Sequence, residues 1–595
     1  MSGARCLAAG LMVGMVAVAP MLSACGGLPT GSAVRQGSPV GGAAPQPVRV
    51  QPDGPAAGGT PEQIVRGFLR ASASAGFDDD HAIARLFFTR GVKDQWLPDT
   101  GVKVYADGSA LDVEPLTPKT VRVTAAIVAE IDSDGRYHET PAGTSAQTTF
   151  HLEKLGAGWR ISEPPKGLGL WLSAVDLDRN YRPFTIAYIS KVAPTVVVDR
   201  RWFPLTSGLA TTLARAQLAP VPSYLSGSAQ TGLPTGTVLS LDSVPIQAGR
   251  AVVDLSASAL SANPGFRRAM WAQFVTTLMQ VASVTEVSLE VNGAGLDIPN
   301  MPDRVSVLTT LGYQIDLSVL FKPAILRVED ELSRVSSDRP SEQGRTPKPP
   351  TGSALPKVPT GWVSLALSWN GQEIAGIGGD RRDLARWQGT RLYQLPGFAS
   401  QLTKPSYDSL NGLWVAGQAG DATRVWVVDT STTPMEKAKP RAIVAPWLAN
   451  RTVLALRVAA DNQRLALITS NRRGGDVQVL IAGIVRSANG VPVSLAAEPL
   501  RVGWTLTAAT DLAWVDDSTL AVVGRVSPHD VVGPQLVEVG GKITAMPPAP
   551  GTRLVTNSGG LRGVVVITDR GQVLARAGNG WQVLQNGTDF LIPGE

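Results

Sequence analysis

This 595-residue chain has little of what usually announces chemistry. It contains two cysteines, Cys6 and Cys25, both within the first 25 positions. Beyond Cys25 no thiol remains for a disulfide, a cysteine–zinc site, an iron–sulfur cluster or a cysteine nucleophile. The histidines number four, His81, His138, His151 and His529, and none forms a His-Glu-x-x-His or His-x-His pair. No Gly-x-Ser-x-Gly elbow occurs, and Gly540-Gly541-Lys542-Ile543 lacks the first glycine and the Ser/Thr of a phosphate loop. After Cys25 no apolar run approaches the length of a membrane span. Charged residues make up 17% and the net charge is +5; the basic doublets Arg200-Arg201, Arg267-Arg268, Arg381-Arg382 and Arg472-Arg473 are scattered, which excludes a nucleic-acid stripe. Paired acids such as Asp176/Asp178 and Asp516/Asp517 remain as carboxylate candidates, although Asp516-Asp517 sits where a hairpin needs turn residues. No catalytic residue, metal site or cofactor is expected, and nothing in the pattern argues for an enzyme.

What is present begins at the first residue. Met1–Arg5 carries one basic side chain, Leu7–Leu22 is almost wholly apolar, and Leu22-Ser23-Ala24-Cys25 follows. An apolar stretch this short, ending in small residues, is a secretory signal and not a spanning helix. The ending resembles the lipobox of bacterial lipoproteins. That resemblance implies a signal peptide over residues 1–24, cleavage between Ala24 and Cys25, and a Cys25 bearing S-diacylglycerol and an N-acyl (palmitoyl) chain. The expected address is the extracytoplasmic face of the cell membrane, with the membrane itself contacted through the lipid.

Residues 25–59 are rich in Gly, Pro, Ala, Ser and Gln without apolar periodicity, a composition too polar to offset the entropy of ordering. As a coil the segment reaches roughly 30–35 Å on average, a tether. A first domain is expected over 60–180. Thr60-Pro61-Glu62-Gln63 combines a cap, a proline for the first turn and a capping-box partner, and Ile64, Val65, Phe68 and Leu69 give one apolar face. A second short helix is expected after Asp78-Asp79-Asp80, with Ile83, Leu86 and Phe87 inward. From Val102 the period changes to two, so helices precede an antiparallel sheet: an α+β domain whose order resembles NTF2-like cones.

A second domain is expected over 185–325. Its Pro234-x-Gly236-Thr237, Val253-Asp254-Leu255-Ser256, a helix after Asn263-Pro264 and a strand entering the Asn292-Gly293 turn resemble a GerMN α/β domain. Residues 333–360, rich in Pro and Ser, read as a linker. From Gly361 to Glu595 a strand, an Asn/Asp/Gly turn and a second strand recur around Asn370-Gly371, Asn411-Gly412, Asp461-Asn462, Asp516-Asp517 and Gly559-Gly560. The period of roughly 40–55 residues, with nine of the chain's 14 tryptophans in this region, predicts a β-propeller-like domain. Its blade number is open, because closure can borrow a strand from elsewhere.

The whole order resembles the LpqB family of actinobacterial lipoproteins. The resemblance implies an accessory protein of an MtrB-like membrane sensor kinase, contacting its extracellular domain and serving MtrAB two-component signalling in cell-wall homeostasis and division. The alternative, reached from composition and fold alone, is a lipoprotein binding a cell-wall polymer or small ligand through the propeller channel or the cone.

Overall fold

A computed structural model describes residues 52–74, 81–107, 111–156, 158–315, 324–335, 355–557 and 559–594. The Leu22–Cys25 motif, most of the tether and residues 336–354 of the expected linker lie outside the described residues.

The N-terminal domain starts as its caps dictate. Helix Pro61–Ala73 is closed by the Thr60/Gln63 capping box, and Ile64, Val65, Phe68 and Leu69 are buried. They lie against a curved sheet in the order 158–163, 145–155, 120–131, 102–105, 170–173. The second helix is only Ala82–Arg85, so its apolar stripe is shorter than the spacing suggested: Phe87 is buried, Ile83 half-buried and Leu86 exposed. The Asp78-Asp79-Asp80 cap lies outside the described residues.

The second domain carries two sheets, one built on Tyr181–Ser190 and Thr195–Pro204, the other on Arg250–Leu255 paired in parallel with Glu286–Val291. Helix Pro264–Leu278, capped by Asn263, lies between them, which is why Met270, Trp271, Phe274, Val275 and Leu278 are buried together with Ala269 and Ala272 on its flanks. The preceding helix, Leu209–Gln217, has Gly208 at its N-cap and starts without a side-chain cap. Asn292 and Gly293, both at positive φ, make the tight hairpin that the Asn-Gly pair predicts.

The C-terminal domain is a propeller of six blades. Five are sheets contiguous in sequence, at 362–395, 406–443, 451–502, 508–545 and 552–586. Each of the five recurring turns joins the innermost strand of its blade to the second. The repeat has a physical basis: the side-chain oxygens of Asn370, Asp408, Asp461, Asp516 and Asn557 accept the backbone N–H two residues on, at 3.0, 2.9, 2.8, 2.8 and 3.2 Å. The sixth blade comes from both ends of the region. Asp589–Leu591 pairs with Ala324–Val328, which pairs with Glu331–Val335. The boundaries expected at 325, 333 and 361 shift accordingly, and the hairpin 324–335 is propeller. Arg327 holds it there: the buried guanidinium donates to the carbonyls of Glu329, Trp362, Val358 and Pro359 and lies 3.3 Å from Asp589. Apolar clusters between each pair of neighbouring blades complete the ring, ending with Leu326, Ile567 and Phe590 on one side of the sixth blade and Ile325, Leu365 and Leu591 on the other.

The three-domain junction as candidate functional site

The strand Thr195–Pro204 is apolar at Val196, Val197 and Val198 but then runs Asp199-Arg200-Arg201-Trp202, and these four residues connect all three domains. A charge inside a buried strand requires a partner, because an isolated ion out of water is expensive. Asp199 has several. Its carboxylate accepts from Arg201 Nε at 2.8 Å and from the Tyr224 hydroxyl at 2.9 Å, and Arg136 of the N-terminal domain lies 3.6 Å away. Arg201 also donates to the Tyr188 hydroxyl at 3.1 Å. Burial pushes the Tyr188 hydroxyl up to about 12, against the pull of Arg201, and burial with help from Asp199 holds Tyr224 well above its ordinary value. Both phenols stay neutral and serve as hydrogen-bonding groups.

Trp202 is the mechanical centre. Its backbone N–H donates to the Gly135 carbonyl of the N-terminal domain at 2.7 Å, and its ring stacks on Tyr137 at 5.2 Å. Its indole N–H donates to the Gly540 carbonyl of the propeller's fourth blade at 3.0 Å. Gly135 has φ +81°, and a Cβ there would meet the Trp202 carbonyl at 2.9 Å, so the close approach requires glycine. On the propeller side, Arg464 donates to the Val198 carbonyl at 3.3 Å while held by Asp461 at 2.6 Å, and Arg200 reaches Ser518 at 3.4 Å. Glu139 bridges the N-terminal domain to the propeller, accepting from the Thr505 hydroxyl at 2.7 Å and the Ile543 N–H at 2.9 Å. The core of the second domain is continuous with the cores of the third and fourth blades, from Ile186 and Leu213 through to Ile468 and Val522.

Around this contact a cleft of about 430 Å³ opens between the three domains. Its walls include Arg136, His138 and Glu139, then Tyr224, then Arg501, Trp504 and Glu538. Arg501 packs its guanidinium on the Trp504 ring, 4.4 Å from the centroid, and its carbonyl accepts the Trp504 indole N–H at 3.1 Å. Burial lowers the Arg501 pKa; Asp476 pulls it back and Arg451 adds to the depression. A second hollow, about 550 Å³, lies between Lys191, Gly227 and Gln230 of the second domain and Arg486 and Asn489 of the third blade.

The residues singled out from sequence lie elsewhere. Leu22, Ser23, Ala24 and Cys25 are outside the described residues. Asp516 serves its own turn by accepting from Ser518, Asp176 donates its backbone N–H to the Ser173 hydroxyl oxygen and accepts that hydroxyl on its carboxylate, and Asp178 pairs with Lys542 at the edge of the junction. His151 and His529 are exposed, and among the described residues no three His, Cys, Asp or Glu side chains gather as a metal site. No helix of the described residues is long and apolar enough to cross a membrane. Sequence reasoning missed Asp199, Trp202, Arg501 and Trp504; the one visible signal was an acid and two arginines in an otherwise apolar strand.

Residues 54–178 match the family described as the N-terminal domain of lipoprotein LpqB, and residues 338–593 match the lipoprotein LpqB beta-propeller domain. Residues 185–297 match a family described as sporulation and spore germination. The chain is similar to Lipoprotein LpqB of Thermobifida fusca (strain YX), 28% identical over 573 residues that span 86% of this chain and 87% of that one. It is similar also to Lipoprotein LpqB of Cutibacterium acnes, 27% identical over 543 residues and 88% of each chain. Of solved structures, the first GerMN domain of the sporulation protein GerM from Bacillus subtilis aligns with 21% of this chain and 97% of its own at 23% identity, with a TM-score of 0.18.

Proposed function

Starting from a chain that belongs to the LpqB lipoprotein family, we propose that it is a lipid-anchored accessory protein of an MtrB-like membrane sensor kinase, acting on the kinase's extracytoplasmic domain. The observation that supports this reading is the joining of the three domains through Asp199 and Trp202. Domains joined by such contacts present their surfaces in a fixed relation, which is what a partner must meet to have one conformation favoured over another. A lipid on Cys25 would confine protein and kinase to the same plane, so that a weak contact is populated through high effective concentration. Regulation then requires only that the lipoprotein bind two kinase states with different affinity.

The test is kinase autophosphorylation in liposomes. Adding the lipidated protein is expected to change the rate, and the Cys25→Ala variant, folded but unanchored, is expected to lose most of that effect at equal concentration. An unchanged rate with the lipidated protein overturns the reading.

A further inference from the structure

The junction cleft holds two charged groups that the fold does not use. Among the described residues, Arg501 has no carboxylate within ion-pair distance: its guanidinium rests on Trp504, and its Nε is buried without a hydrogen-bond partner. Glu538 lines the same cleft, and its carboxylate has no hydrogen bond or ion pair among the described residues. The other charges there are committed. Arg136 is paired with Asp134 and Asp199, Glu139 is taken by Thr505 and Ile543, and Asp132 accepts the backbone N–H groups of Asp134 and Arg136 in its own turn. A buried donor left unmade costs about 1–3 kcal/mol.

Trp504 adds the third element. Its indole N–H is tied to the Arg501 carbonyl, so the ring is fixed, yet it remains 36% exposed beside His138 at 5.7 Å. A fixed, exposed aromatic ring beside an unpaired cation and an unpaired carboxylate, in a space the size of a small-ligand pocket, has a definite complement. The ligand needs a carboxylate for the guanidinium, hydroxyl donors for Glu538, and an apolar C–H face for the indole. A simple anion offers only the first, and a neutral sugar lacks it.

We propose that the cleft between the three domains is a binding site for an acidic saccharide, with Arg501 taking the carboxylate, Glu538 the hydroxyls and Trp504 the ring face. The site does not depend on the kinase reading, and either can stand without the other. It also couples ligand to architecture, since its walls come from three domains and occupancy favours their joined arrangement over any separated one.

Isothermal titration of the full chain in detergent micelles with D-glucuronic acid, D-glucose and acetate tests this. Saturable binding of glucuronic acid is expected, with glucose and acetate each at least about tenfold weaker, since a lost charge-assisted hydrogen bond is worth about 1.5–3 kcal/mol. Arg501→Gln should weaken glucuronic acid by about tenfold or more and leave glucose unaffected, whereas Glu538→Gln should weaken both sugars. Arg391→Gln, which removes an exposed ion pair between the first blade and Glu436 of the second, should bind as the parent does. No saturable heat up to ~10 mM glucuronic acid, equal binding of acetate, or an Arg501→Gln variant that binds as the parent would each overturn the proposal.

Discussion

Asp517 shows how one side chain can be placed at a cost. It stands next to Asp516 at the inner turn of the fourth blade, and its carboxyl pKa is raised, first by burial, with Asp516 adding and Arg464 opposing. An acid whose folded pKa exceeds its unfolded value near 3.8 binds more protons in the native state. Stability is therefore lost as pH rises through the interval between the two values. Asp517→Asn removes that loss. The variant should melt higher than the parent at pH 7, by a small amount on the order of 1 °C, and the difference should close below about pH 4. Scanning calorimetry at the two pH values reads this directly, and a variant that is less stable at pH 7 would show that the charge is used. The neighbouring Asp516 should behave differently, because its carboxylate accepts two hydrogen bonds from Ser518. From sequence the two aspartates are indistinguishable; only the turn's geometry separates the one that folds the chain from the one that burdens it.

Among the elements, the sixth blade carries the sharpest energetic claim. Arg327 and Asp589 are both buried, 3.3 Å apart, and Arg327 also serves four carbonyls. Removing one partner of a buried pair leaves the other uncompensated, at about 3–5 kcal/mol. Arg327→Met should lower the urea midpoint by that equivalent, whereas Arg391→Met, at an exposed pair, should cost under about 1 kcal/mol. Equal losses would mean that the sixth blade does not close the ring as described. The five contiguous blades were legible because an Asn/Asp/Gly turn recurs at each inner hairpin; Asn370, Asp461 and Asp516 are themselves the acceptors of the N–H two residues on, while Asp408 and Asn557 play that part beside the Asn411-Gly412 and Gly559-Gly560 pairs that mark the other two. The sixth was not, because its strands lie at 324–335 and 589–591 and its one hairpin turn, at Glu329-Asp330, lacks that residue pattern. Helix Pro264–Leu278 was legible from its cap and apolar positions. The four-residue helix Ala82–Arg85 was misjudged at Leu86, because a single turn is too short for periodicity to fix a face.

For the whole molecule, the junction implies that the three domains melt together. Trp202 touches the N-terminal domain and the propeller at once, through Gly135 and Tyr137 on one side and Gly540 on the other. The parent should show one calorimetric transition for the three domains. Trp202→Ala, at about 3–5 kcal/mol for a buried tryptophan, should split off a separate, lower transition for the N-terminal domain; a single transition in the variant would place the coupling elsewhere. Domain order was legible in the sequence, but domain adhesion was not, since contacts such as Glu139 to Ile543 join positions far apart along the chain. That separation also sets a timetable. Asp589–Leu591 pair with Ala324–Val328, and 262 positions separate Arg327 from Asp589. Until they pair, the propeller is an open arc whose free edges invite wrong partners. Closure of the ring therefore waits on five blades being in place, and the contact that shuts it is the one with the longest loop to close.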